Sequence, residues 1–242
     1  MEILPETRVG ELVAHHPVAS RVFERHAIDF CCGGKRSLGE VCVEREIDFR
    51  RLASELAEAV DSADAEDDTD WTRESATAIA RYVVERFHVP LREELPRLAA
   101  MSAKVLAAHG TRHPELAELQ ATLAAFSGEL ADHMEKEEHV LFPYIERLER
   151  VAERRLGLDA SPFGSVEGPI AALMHDHEDA GRALAEMRQS TGGFVPPSDA
   201  CNTLRAFYDR LGRIEIEMHR HVHLENEVLF PRAIELENQL VR

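Results

Sequence analysis

In the second half of the chain, apolar residues recur at alternating steps of four and three. Leu119, Leu123, Phe126, Leu130, His133, Glu137, Val140 and Tyr144 keep that alternation throughout, which sets them on one inward stripe of a single helix. Phe207, Leu211, Ile214, Met218, His221, Glu225 and Val228 repeat the pattern. Val84, His88, Leu91, Leu95 and Leu98 make a third stripe, and Ile170, Leu173, Met174, His177, Gly181 and Leu184 a fourth. Glycine- and proline-bearing breaks separate these segments at AAHGTRHPE, GLDASPFGSVEGP and TGGFVPPSD. Long amphipathic helices with short connections predict an all-α, antiparallel four-helix bundle over 71–242.

Upstream the signals are shorter. Thr7 can cap a first turn, Pro17 can open a second helix, and Ser37 can cap a third before Leu38 and Val41, so residues 1–60 read as a small helical domain. Between them and the bundle, residues 61–70 read DSADAEDDTD, acidic and without apolar periodicity. That composition predicts a solvated linker, which fully extended would span roughly 35 Å. No segment reads as a strand.

Two polar residues interrupt each of two seams at the same spacing. Aligned without a gap, HMEKEEHVLFP and HVHLENEVLFP pair His133 with His221 and Glu137 with Glu225 at an offset of 88 residues, as a duplicated helical hairpin would. His88 is an inward histidine of the first long helix. The same offset from His88 falls on 176, between His175 and His177, and cannot choose between them; the apolar stripe chooses His177. Unpaired charged groups are costly to bury, at several kcal/mol each, and a metal centre is the usual compensation. If each of two metal ions takes two histidines and both glutamates bridge, an oxo or hydroxo bridge brings each to five bonds and leaves one position open. Imidazole with carboxylate suits iron, zinc, copper or manganese. The plainer alternative is a set of core histidines hydrogen-bonded to the glutamates.

The other histidines fall off these stripes. His219 and His223 are expected in solvent or behind the ligands, and His109, His113 and His139 at the surface. Pro90, Pro96, Pro143 and Pro231 each remove a backbone hydrogen bond and are expected to kink their helices.

Composition narrows the function. With 242 residues the chain is long enough for a large domain and a small one, and its formal charge of −17 disfavours nucleic acid as a partner. No apolar run is long enough to span a membrane, and MEILPETRVGEL lacks the basic start and apolar core of a signal peptide, which points to a cytoplasmic protein. Four cysteines are too few for a disulfide scaffold, yet Cys31 and Cys32 are adjacent. Neighbouring cysteines rarely bond to each other because the ring is strained, so the pair suits exchange chemistry. Gly33, Gly34, Lys35 and Arg36 follow them, and the two cations are expected to favour the thiolate. Cys42 and Cys201 are expected to be packing residues.

The paired H-x-x-x-E segments, each followed by LFP, together with inward His88 and His177, resemble the hemerythrin-like di-iron bundles. AIDFCCGGKRSL ahead of such a bundle resembles the RIC family, the di-iron iron-sulfur cluster repair proteins of nitrosative and oxidative stress. The resemblance runs from Val9 to Pro231 and implies two iron ions with an oxo or hydroxo bridge, held by His88, His133, Glu137, His177, His221 and Glu225. It also implies that Glu137 and Glu225 bridge, and that Cys31 and Cys32 carry redox chemistry or nitric oxide transfer. The partners it implies are damaged iron-sulfur proteins, with nitric oxide or dioxygen as small ligands. The expected role is repair or iron donation rather than conventional turnover, in a monomer or a homodimer. A dioxygen or nitric oxide sensor or carrier is the alternative, although oxygen-carrying hemerythrins typically add a fifth histidine. A ferritin-like oxidase ranks last, since its four carboxylates exceed the two on these seams.

Overall fold

The computed structural model describes residues 3–31, 33–63, 69–154, 161 and 163–241. Among them there is no strand, only an isolated antiparallel bridge between Arg8 and Ser37. The chain divides into two compact units. One comprises Met1–Ala80, Leu148–Leu158 and His219–Arg242, and the other Arg81–Arg147 and Asp159–Met218.

The first unit holds four helices from the N-terminal region: α1 (Val9–His15), α2 (Ala19–Arg25), α3 (Leu38–Glu44) and α4 (Phe49–Asp61). Ser37 opens α3 with a reciprocal capping box to Glu40, as its hydroxyl and the following apolar pattern require. Asp48 caps α4, a helix the sequence reading had not separated. Thr7 does not cap α1: Arg8 occupies that position without a side-chain cap, and the Thr7 hydroxyl instead accepts from the backbone of Leu4. The apolar stripe of α1, with Val9, Leu12 and Val13 buried, packs against the C-terminal turn Glu225–Leu229. Compactness therefore does not part the chain at 61–70, because His219–Arg242 belongs with the N-terminal helices. Most of the expected linker, 64–68, lies outside the described residues.

In this same unit, a 3-10 turn (Trp71–Arg73) precedes α5 (Ala76–Val83), which belongs to it as far as Ala80 and whose first turn is capped from a distance. Glu149, on α8 (Phe142–Arg154), accepts from the backbone N–H of Ala76 at 2.8 Å and of Thr77 at 3.0 Å. Burial alone would raise this carboxyl, but hydrogen bonds from the Thr77 side chain, the Thr77 and Ala76 backbone and the Ser75 side chain outweigh it and hold it below the usual carboxylate range. Glu149→Ala is expected to cost about 1–2 kcal/mol of stability, read as a fall of roughly 2–4 °C in Tm per kcal/mol. A depressed folded-state value stabilises above the ordinary carboxylate value of about 4.3, so the deficit is full at neutral pH. It closes as the pH falls through the lower folded-state value, which thermal melts across an acid series check.

The second unit contains α6 (Val89–His109), α7 (Glu115–Lys136), α9 (Glu167–Ser190) and α10 (Asn202–Leu224) as far as Met218. Helix α6 packs on α7 and α7 on α9. Arg86 pairs with Glu217 and Arg210 with Glu94, so numbers rise on one helix as they fall on the other and α10 runs antiparallel to the first long helix. Arg188 ties α9 to Glu215 of α10. The four-helix bundle is thus assembled within this unit.

The prolines act in a way the sequence did not anticipate. The helix stays continuous but widens into a π-turn just before Pro90, Pro143 and Pro231, at Val84–His88, Glu137–Leu141 and Glu225–Leu229. A wider turn accommodates a ring that cannot donate to the residue four back. The extra residue also shifts the seam by one. Val140, expected inside, is 48% exposed, and Leu141 is fully buried in its place. Val84 likewise yields its inward position to Val83. Among the described residues, no helix is long and apolar enough to cross a membrane.

Candidate metal centre

Each π-turn starts or ends on a residue singled out by the seams. His88 closes the first, Glu137 opens the second and Glu225 opens the third. His133 lies one helical turn before Glu137 on α7, and His221 one turn before Glu225 on α10. His177 sits midway along α9. All six side chains are buried. His175, the competitor for the fourth position, faces out beside Glu178 and Asp179.

Within the bundle unit, three imidazoles gather at one carboxylate. His88 Nε2 lies 3.4 Å and His133 Nε2 3.2 Å from the same oxygen, Glu137 Oε2. His177 Nε2 lies 3.1 Å from His133 Nε2, and ligand atoms of His133, Glu137 and His177 fall within 4.8 Å of one another. In the other unit, His221 Nε2 lies 3.2 Å from Glu225 Oε1.

The outer nitrogens explain why the inner ones face the carboxylate. His88 Nδ1 contacts Glu138 Oε1 at 2.7 Å, and Arg92 donates to that same oxygen at 2.7 Å. His133 Nδ1 lies 3.4 Å from Asp176, which also takes Lys136 Nζ at 2.9 Å. Burial would raise the Glu138 carboxyl, yet Arg92 and His88 hold it below the usual range; Lys136 and His133 do the same for Asp176. Carboxylates kept ionised fix the proton on Nδ1, which leaves Nε2 as a bare lone pair. The Nε2 lone pairs of His88 and His133, set against the Glu137 carboxylate at 3.4 and 3.2 Å, are repelled by it, and a cation among them removes that repulsion. The donor set fits a borderline divalent metal of the iron or zinc kind. Beside His133 and His177, a cavity of about 220 Å³ is lined by Leu130, Asp176 and Met218, which gives a small molecule access to this half of the site.

Sequence reasoning missed the four outer residues Glu138, Arg92, Asp176 and Lys136. The available signal was position: Glu138 and Asp176 each stand directly beside a seam residue, turned toward a neighbouring helix. His109 and His223 were expected at the surface or behind the ligands, and both are buried. Cys42 is buried as expected, but Cys201 is exposed at the start of α10, where the Leu204 backbone and His109 pull its thiol down to about 7.

The cysteine segment also differs from expectation. Cys31 is buried, and both its backbone N–H, at 3.0 Å, and its thiol, at 3.3 Å, donate to Asp29 Oδ1. A carboxylate accepts from the thiol, while Arg36 pairs with Glu44. Cys32 lies outside the described residues.

Comparison with known proteins accounts for both parts of the chain. A family model described as the hemerythrin HHE cation binding domain matches residues 79–233, and one described as a domain of unknown function, ScdA_N, matches residues 5–60. The chain is 36% identical over 229 residues to iron-sulfur cluster repair protein YtfE of Musicola paradisiaca, covering 95% of this chain and 96% of that one. Against the proteins of the same name from Pectobacterium atrosepticum and Yersinia pestis, identity is 35% and 34% over 226 residues, covering 93% of this chain and 96% of each relative. With the buried histidines and glutamates described above, the chain belongs to the hemerythrin HHE cation-binding family, and within it to the family of the iron-sulfur cluster repair proteins.

Proposed function

We propose that this protein repairs iron-sulfur clusters damaged by nitrosative or oxidative stress, using a di-iron centre held by His88, His133, Glu137, His177, His221 and Glu225. The gathering of the His88, His133 and His177 Nε2 atoms around the buried Glu137 carboxylate is the observation that carries this reading. His133 and His177 serve one iron, and His88 and His221 the other. Glu137 and, by the internal repeat, Glu225 would supply a carboxylate to each. When bound, the iron would supply labile ferrous ions and a centre able to take up nitric oxide.

The chain's own part is to hold and to shield. Neutral imidazoles fixed by Glu138 and Asp176 keep their lone pairs inward, and the buried seam residues around them exclude bulk water. Four neutral ligands and two carboxylates leave a ferrous pair without excess negative charge, which favours release over tight retention. The region 1–60 brings Cys31 and Cys32 as a redox partner, 61–70 joins it to the bundle region 71–242, and the clients are damaged iron-sulfur proteins in the cytoplasm.

The test is anaerobic. Purified iron-loaded protein is mixed with a nitric-oxide-damaged [4Fe–4S] dehydratase without free iron, and recovery of dehydratase activity is followed beside an iron-free control. Recovery with the loaded protein alone is the expected result. No recovery, with reversible uptake of nitric oxide or dioxygen instead, would replace repair by sensing or carriage.

A further inference from the structure

The helix that carries His221 and Glu225 presents a second row of side chains, and that row grips the cysteine segment. Within the N-terminal unit, Arg220 donates to Glu24 of α2 at 3.2 Å. One turn on, buried His223 donates from Nδ1 to the carbonyl of Phe30, the residue before Cys31, at 3.0 Å. The Phe30 ring meets His219 and His223 edge-on, at centroid distances of 6.2 and 5.6 Å. A further turn on, the Glu227 carboxylate sits in a cradle formed by Gly10 and Gly34. A Cβ on Gly34 would lie 2.7 Å from Glu227 Oε1 and 2.8 Å from the backbone oxygen of Phe30, and one on Gly10 would lie 2.8 Å from Glu227 Cδ. Gly10 and Gly34 are themselves joined by a backbone hydrogen bond of 2.9 Å.

This grip also settles the state of His223. A carbonyl oxygen only accepts, so the bond to Phe30 assigns a proton to Nδ1. Its Nε2 is buried with no hydrogen-bond partner among the described residues. A buried imidazole with one nitrogen unsatisfied is an expensive way to fill space. A single directional bond to the carbonyl ahead of Cys31 is what that expense secures.

We propose that His223 and Glu227 are positioning residues that couple the Glu225 turn to the cysteine segment, so that iron in the centre sets the accessibility of Cys31. The inference rests on the assignment of His221 and Glu225 as iron ligands. His223 stands two residues from each of them, and Glu227 two residues beyond Glu225 inside the same π-turn. Metal bonds at 221 and 225 fix this stretch, and a fixed stretch holds Phe30 O and Gly34 in place. Without iron, the turn opens more readily, and the buried Cys31 with it. Linkage makes the effect reciprocal in direction: modifying Cys31 weakens iron binding.

The test measures iodoacetamide labelling of the tryptic peptide 26–35, which contains Cys31 and Cys32, in the full chain with and without iron, beside the iron content of every sample. In the wild type, iron is expected to slow labelling at least about fivefold, the lower end of ordinary coupling between sites. His223→Phe keeps the aromatic contact and deletes the donor, so labelling of that variant should no longer respond to iron. His223→Asn places an amide N–H near the Nδ1 position and should restore the response. Should His223→Phe fail to load iron, Glu227→Ala, which empties the glycine cradle, is expected to abolish the response with iron retained. Labelling indifferent to iron in an iron-loaded wild type, or an undiminished response in the His223→Phe or Glu227→Ala variant, overturns the inference alone. A wild type that binds no iron overturns the ligand assignment and this inference with it.

Discussion

Replacing Glu137 by alanine is expected to abolish stable iron loading, with metal affinity lowered by at least about a hundredfold, since losing a ligand exceeds losing an outer partner. The carboxylate is the meeting point of His88 and His133, and its Oε2 lies 3.4 and 3.2 Å from their inner nitrogens. Without it, the imidazole lone pairs face one another across the space it leaves, and no anion balances a cation there. Glu137→Gln separates charge from volume: it keeps the side chain's size and one acceptor oxygen but cannot bridge as an anion. It is expected to retain the fold and still lose most of the iron. The measurement is iron per chain after anaerobic reconstitution and removal of loose metal, beside a denaturant titration of the iron-free form. If Glu137 served only to hydrogen-bond core histidines, iron content would be unchanged, and stability alone would fall by about 1–3 kcal/mol. That outcome would sink the bridging assignment.

Much of this site was legible because burying a charge is costly. A histidine and a glutamate four apart on an otherwise apolar stripe, repeated 88 residues later, have few physical explanations, and the structure buries all four. The same stripe separated His177 from His175, which the repeat offset could not do. What stayed hidden has a common cause: periodicity reports which face a residue takes, not what comes from the neighbouring helix. Glu138 and Asp176 look like surface acids until the π-turn that ends on His88 meets Glu138 and α9 brings Asp176 to His133. His223 lies off the metal stripe and was expected in solvent or behind the ligands; it is buried, with the Phe30 ring edge-on against it. Lys35 and Arg36 follow the cysteines in sequence, yet each acts on a different carboxylate. Prolines were legible as interruptions but not as π-turns. A uniform heptad count run through Glu137–Leu141 therefore misplaces Val140, while the same count before the turn places Leu130 and His133 correctly.

The outer carboxylate on His88 supplies the second large effect. Glu138→Ala is expected to weaken iron binding about 10- to 100-fold, the usual loss when a metal-bound histidine loses the group that orients it. Glu138 Oε1 takes His88 Nδ1 and Arg92 Nη1, each at 2.7 Å, so one oxygen fixes the tautomer, and the guanidinium keeps that oxygen ionised. Removing the carboxylate frees the proton to move to Nε2, where it would occupy the lone pair a metal needs. Arg92 would then stand near His88 as an unbalanced cation and oppose a second positive charge. Glu138→Gln should fall between wild type and alanine, because its amide oxygen still accepts from Nδ1 but holds Arg92 less firmly. Arg92→Gln should cost less again, since it leaves the Glu138–His88 contact in place. The order alanine, glutamine, then the Arg92 variant, in rising iron affinity measured by competition with a chelator of known strength, tests the arrangement. Equal affinity in all three would mean that His88 is oriented by its packing on Phe142, whose ring stacks on it at 6.0 Å, and that Glu138 is a surface acid after all.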